Sequence, residues 1–147
     1  MIPILLKKNT EEIVAAVEAV ETALGTNVTE TVIRAAAILT TSYVAATVVD
    51  VSASNQITLK IRFTIGSADS CQIKMEISED QSLWEEQAYY YMSGDNAVYT
   101  AYPIQLESSC NIFIPIPVAT TYVRFSARAV TDATGTSLAL RVAKAKV

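Results

Sequence analysis

From residue 57 to residue 65 the chain alternates strictly. Ile57, Leu59, Ile61, Phe63 and Ile65 are apolar, and Thr58, Lys60, Arg62 and Thr64 stand between them. Successive side chains of a strand point to opposite faces, so this run has one dry face and one wet face. A helix does not use such a pattern, because its apolar stripe recurs every 3.6 residues. Gly66-Ser67-Ala68-Asp69 then has the composition of a turn. Alternation resumes with Cys71, Ile73, Met75 and Ile77 against Gln72, Lys74 and Glu76. The two rows are expected to pair as a hairpin.

The same period continues downstream. Val123, Phe125 and Ala127 alternate with Arg124, Ser126 and Arg128, and Leu138, Leu140 and Val142 with Ala139 and Arg141. Further strands are expected near 31–39, 43–51, 84–92, 97–106, 111–117, 121–130 and 137–146. Short strands at regular spacing with turn residues between them predict an antiparallel β-sandwich, jelly-roll-like, over residues 26–147. Ile114-Pro115-Ile116-Pro117 carries two residues without an N–H, so it is an edge strand or a strand end, and an edge so blocked resists unwanted pairing.

Residues 1–25 read differently. Asn9 or Thr10 can cap a helix over 10–24, with Glu11 and Glu12 in its first turn and Gly25 after its end. Ile13, Val17, Val20 and Leu24 form a narrow apolar seam, and Leu6 extends it backwards. Helices this short are marginal alone, so the seam must pack on something. It serves either as an anchor and coiled-coil stalk between copies or as an amphipathic helix on its own sandwich. The chain has 147 residues, 51% of them hydrophobic and 18% charged. That much apolar content is hard to hide within one small domain, which points to an oligomer or a subunit of an assembly.

Several function classes are excluded or disfavoured. Net charge is −4 and Lys7-Lys8 is the longest basic run, so no footprint for nucleic acid exists. No secretory signal or membrane span is expected, because the apolar Met1–Leu6 run is short and its lysines follow it. The chain has no histidine, which removes the commonest general base and metal ligand. No serine sits in a nucleophile elbow, and four glycines make no phosphate-cradling loop. No catalytic, cofactor or metal residues are expected, and the reading is non-enzymatic. Cys71 and Cys110 are expected to be buried free thiols rather than a metal site or a disulfide.

Two clusters remain. Glu76, Glu79, Asp80, Glu85 and Glu86 surround Trp84. They suit a calcium site, a carboxylate pair for glycoside hydrolysis, or a solvated hairpin loop over Ser78–Leu83. The loop fits best, because calcium loops need Asp/Asn alternation and a glycine. Tyr89-Tyr90-Tyr91, with Tyr99 and Tyr102, forms the other cluster. In a strand, Tyr89 and Tyr91 share a face, which makes them, with Trp84, candidate surface-binding residues, although half-burial at the sandwich rim explains them as well.

The stretches Ala37–Val44, Val48–Ser52, Gln56–Leu59, Phe63–Ser67, Glu76–Trp84, Phe113–Pro117 and Tyr122–Phe125 together resemble small virion structural proteins of tailed bacteriophages. The likeness covers about residues 36–128. It implies a capsid decoration, a head fibre or a collar or neck spike. The implied protein is homo-oligomeric, with a trimer favoured, contacts other virion proteins, and resides in the virion after synthesis in the host cytoplasm. Its N-terminal segment would be the anchor and its sandwich would project outward. A Ser-Asp-Gly-x-x-Trp hairpin also occurs in carbohydrate-binding sandwiches, so a glycan-binding module is the alternative. Here Gln81 stands where the glycine is usual.

Overall fold

The computed structural model describes residues 28–87, 89–100 and 104–147. The expected helix over 10–24 and its seam residues Leu6, Ile13, Val17, Val20 and Leu24 lie outside the described residues. The described chain is built from twelve strands: β1 (Val28–Ala37), β2 (Val44–Ala45), β3 (Val49–Asp50), β4 (Gln56–Thr64), β5 (Ser70–Ser78), β6 (Glu85–Glu86), β7 (Tyr89–Ser93), β8 (Asn96–Thr100), β9 (Ile104–Leu106), β10 (Cys110–Pro117), β11 (Tyr122–Val130) and β12 (Ser137–Ala145).

Two antiparallel sheets face each other. The first has the order β1-β12-β4-β10. The second has the order β2-β11-β5-β6, with β3 also on β11 and β9 also on β5. When β2 and β3 are taken as one broken strand, and β6 and β9 as two pieces of one strand along the edge of β5 opposite β11, the eight positions run 1-8-3-6 and 2-7-4-5. That is the double Greek-key order of a jelly roll. The alternating rows turn inward as expected: Ile57, Leu59, Ile61 and Phe63 from β4, Ile73 and Met75 from β5, Val123 and Phe125 from β11, and Leu138, Leu140 and Val142 from β12 form one core. Each such side chain contributes roughly 1.5–3 kcal/mol when fully buried.

The expected hairpin between the 57–65 and 71–77 rows is corrected. β4 pairs with β10 and β12, whereas β5 pairs with β11, β9 and β6. The Gly66–Asp69 turn is an arch that carries the chain from one sheet to the other. Besides its own Ala68 N–H to Ile65 O bond at 3.1 Å, its backbone bonds run to the neighbouring connection, Ser67 N–H to Thr134 O at 2.9 Å and Asp69 N–H to Val130 O at 3.1 Å. Gly66 has φ +54°, and a Cβ there would lie 2.4 Å from the Gly135 carbonyl carbon, so the two connections touch backbone to backbone. Periodicity places a row's apolar face inward but does not choose between a hairpin partner and one across the core.

β10 is an edge strand, as its two prolines require. The expected strand over 43–51 is split into β2 and β3, both on β11. The expected strands over 84–92 and 97–106 are broken into β6, β7, β8 and β9. The β7 and β8 pieces pair with each other, Tyr89 with Thr100 and Tyr91 with Val98, as a separate ribbon. No helix among the described residues is long and apolar enough to cross a membrane.

Candidate functional site

Trp84 stands just after the loop joining β5 to β6, where Ile77 pairs with Glu85 and Glu76 with Glu86. The loop is held by its own polar side chains. Ser78 Oγ accepts the Gln81 N–H at 2.8 Å, and Asp80 Oδ1 accepts the Ser82 N–H at 2.8 Å. Bonds from the Ser82 and Leu83 amides, the Ser82 one foremost, hold the Asp80 carboxyl below its ordinary pKa. Thr120 and Thr121 donate to the Glu79 carboxylate from the far side. The polar side chains of this stretch thus bond the loop's own amides and two neighbouring hydroxyls. Among the described residues no three carboxylate or thiol groups converge as a metal site would need. Gln81 has φ +65°, the left-handed conformation for which a glycine is usual. The sequence departs from the glycine without departing from the turn.

Trp84 is half-buried. The Arg124 guanidinium lies 4.3 Å from its ring centroid. The same Arg124 forks onto Glu76, Nε to Oε1 and Nη2 to Oε2, both at 3.2 Å. Glu76 and Arg124 are register partners on β5 and β11, so strand pairing builds the fork. Two pleats further along the same outer face, Arg128 donates twice to Gln72 Oε1, at 2.8 and 2.6 Å. Arg128 and Lys74 both stand over the ring of Tyr43, at 4.8 and 4.6 Å. The outer face of the second sheet is thus a mesh of cations, one carboxylate, one amide and two aromatic rings. Sequence reading singled out Trp84 but missed Tyr43, Arg124 and Arg128. The wet-face alternation of 122–130 held the signal, because arginines two pleats apart on a central strand need partners. Tyr89 and Tyr91 fall in the β7–β8 ribbon, and their side chains lie outside the described residues.

The outer face of the first sheet is different. Glu30 binds Lys60 Nζ at 2.7 Å and Arg141 Nη1 at 3.1 Å, and these bonds, the Lys60 one foremost, hold its carboxyl below the usual range. Lys60 also stands 5.4 Å from the ring of Phe113, which is 65% exposed. Around them lies a shallow depression of about 200 Å³ lined by Glu30, Lys60, Arg62, Phe113 and Arg141 among others. Among the described residues, Arg62 meets no carboxylate.

Cys71 and Cys110 are free thiols. Cys71 is fully buried, and burial pushes it up to about 12; Cys110 is half-buried and is pushed up for the same reason. Neither is set up as a nucleophile, which needs a depressed pKa.

No protein-family model matches the sequence, and no curated protein matches it. Among solved structures, the fold is similar to that of the SPBc2 prophage-derived protein YomS, at 18% identity and a TM-score of 0.50, over 80% of this chain and 91% of that one. A carbohydrate-binding module, CBM6cm-2 from the Cellvibrio mixtus lichenase 5A, solved with cellotriose, is similar at 10% identity and a TM-score of 0.39, over 82% and 88% of the two chains. The likeness to YomS shows that this arrangement of strands is one that occurs elsewhere as a nearly whole chain.

Proposed function

We propose that this chain is a non-enzymatic structural component of a bacteriophage virion, a capsid decoration, head fibre or collar or neck spike, that works by assembling with copies of itself and with other virion proteins. The observation that carries the reading is the match of its sandwich to a prophage-derived protein over nine-tenths of that protein's length. A trimer is the favoured copy number, with residues 1–25 as the anchor and the seam of Leu6, Ile13, Val17, Val20 and Leu24 as its contact. The 51% apolar composition supports assembly over a solitary monomer. The test is the protein content of purified phage particles from a host making this chain. Stoichiometric incorporation supports the reading, and particles that lack the chain reject it.

The carbohydrate-binding alternative keeps one observation in its favour: Trp84 is half-buried rather than buried, beside the polar groups of Glu76 and Arg124. Arg124 covers one face of the ring, so a sugar would have to stack on the other. Titration of Trp84 fluorescence with neutral oligosaccharides tests this; no change at millimolar sugar rejects it.

A further inference from the structure

The charges of this molecule are segregated. Between Lys74 and Arg124 the sequence contains no Lys or Arg, yet it carries Glu76, Glu79, Asp80, Glu85 and Glu86 around one loop. Glu76 is taken by Arg124. Glu79, Asp80, Glu85 and Glu86 are exposed and meet no cation among the described residues. At the centre of this negative loop Leu83 is 67% exposed, a large apolar side chain held out into water by the Ser78 and Asp80 bonds that fix the turn.

The outer face of the β1-β12-β4-β10 sheet is its counterpart. Among the described residues, Lys60, Arg62 and Arg141 stand there against one carboxylate, Glu30, in a chain whose net charge is −4. The apolar element of this face is Phe113, with Val32 opposite Arg141 in the register and 53% exposed. One surface is therefore acidic with a projecting leucine, and the other is basic with an exposed phenylalanine beside a depression. Within one copy they cannot meet, because the loop belongs to the second sheet and the core lies between the sheets.

We propose that the basic outer face of the β1-β12-β4-β10 sheet receives the acidic Ser78–Trp84 loop of a second copy of this chain, Leu83 against Phe113 and Glu79 and Glu85 against Arg62 and Arg141. The inference rests on the self-assembly put forward above and names the surfaces that would perform it. Two different patches meet, so the contact is heterologous: it closes into a ring when the rotation permits and otherwise runs on. Charge complementarity sets register and partner choice, and the exposed ion pairs make the contact salt-dependent.

The experiment is sedimentation velocity of the full chain beside two variants, R62E/R141E and E79K/E85K, with thermal melts to establish that each is folded. The wild type is expected to sediment as a multi-copy species that loses mass as salt is raised. Each variant alone is expected to be monomeric. Their equimolar mixture is expected to regain multi-copy mass, because the acidic loop of the first variant fits the basic face of the second and the lysine loop of the second fits the glutamate face of the first. The fourfold variant, with both patches reversed, is expected to regain the wild-type mass. Retention of the wild-type mass by both variants overturns the inference while leaving self-assembly standing. Dissociation by the face variant alone also overturns it, since the face then holds another acidic segment, such as residues 11–21 with their four glutamates. A wild type that is monomeric at every concentration overturns both the inference and the self-assembly it rests on.

Discussion

The two outer faces of this sandwich answer the same chemical problem in opposite ways. Both carry cations at the wet positions of central strands. On the second sheet each arginine finds planar partners within its own chain: Arg124 takes Glu76 and Trp84, and Arg128 takes Gln72 and Tyr43. On the first sheet one carboxylate, Glu30, serves both Lys60 and Arg141, and Arg62, beside an exposed Phe113, meets no carboxylate among the described residues. A satisfied mesh stiffens a surface and offers little to a partner. A surplus of charge and exposed ring offers binding capacity that the monomer does not use. Polarity alone does not distinguish the two faces; the match of donors to acceptors does.

The largest effect should come from what the faces share. Phe125 lies fully buried between the sheets, and Phe125→Ala should cost about 3–5 kcal/mol, read as a shift of the denaturant midpoint. Any face-specific effect must be smaller than that. On the second sheet, Arg124→Ala removes both the fork to Glu76 and the cation over Trp84. Glu76 is largely covered, so the expected loss is about 1–3 kcal/mol, accompanied by a change in Trp84 fluorescence. A loss near zero would break the comparison, since the mesh would then be ornament.

Gln81→Gly tests the loop at the rim of that sheet. Gln81 sits at φ +65°, where an L side chain costs roughly 1–2 kcal/mol. Glycine removes that cost and adds backbone entropy to the unfolded chain, so a net gain of a few tenths to about 1 kcal/mol is expected in thermal melts. On the first sheet, Phe113→Ala should change stability by no more than about 0.5 kcal/mol, because the ring is mostly in water. It should nonetheless weaken self-association measured by sedimentation. A large stability loss there would show that the ring supports its own fold.

The smallest effect is acid sensitivity. The folded-state pKa of Glu30 is depressed below 4.5 by Lys60 and Arg141. Its contribution is therefore present above about 4.5 and is lost as pH falls through the lower folded value. The clamp is exposed and screened, so the expected sign is a mild loss of stability in acid that Glu30→Gln removes, checked by melts between pH 3 and 6.

The core was legible because burial imposes the period of two. The alternating sets of β4, β5, β11 and β12 point inward as read. Pro115 and Pro117 likewise confined their stretch to an edge or a strand end, since a missing N–H is visible in the letters. The pairing of β4 with β5 was misread because a turn between two apolar rows has the same composition whether it folds back in one sheet or crosses to the other. What decided it was the contact of Gly66 with Gly135, far away in sequence. The site was half legible. Trp84 and the acidic loop stood out by type, whereas Tyr43, Arg124 and Arg128 are ordinary residues whose meaning comes from cross-strand neighbours. The break of 84–106 into four short strands was hidden because its tyrosines have strand propensity throughout.

The order of strands also sets a timetable. β12 sits between β1 and β4, and Glu30 meets Arg141 across 111 positions of sequence. The first sheet has a hole at its centre until residues 137–145 exist. Before then the dry faces of β4 and β5 have no complete roof, and the growing chain must wait with them uncovered. Such non-local closure is slow compared with helical or hairpin folding, and it exposes sticky surface while it lasts. A nascent copy is thus most vulnerable just before its last strand arrives, and a shortage of folding helpers in the cell should show first as aggregation of chains caught in that interval.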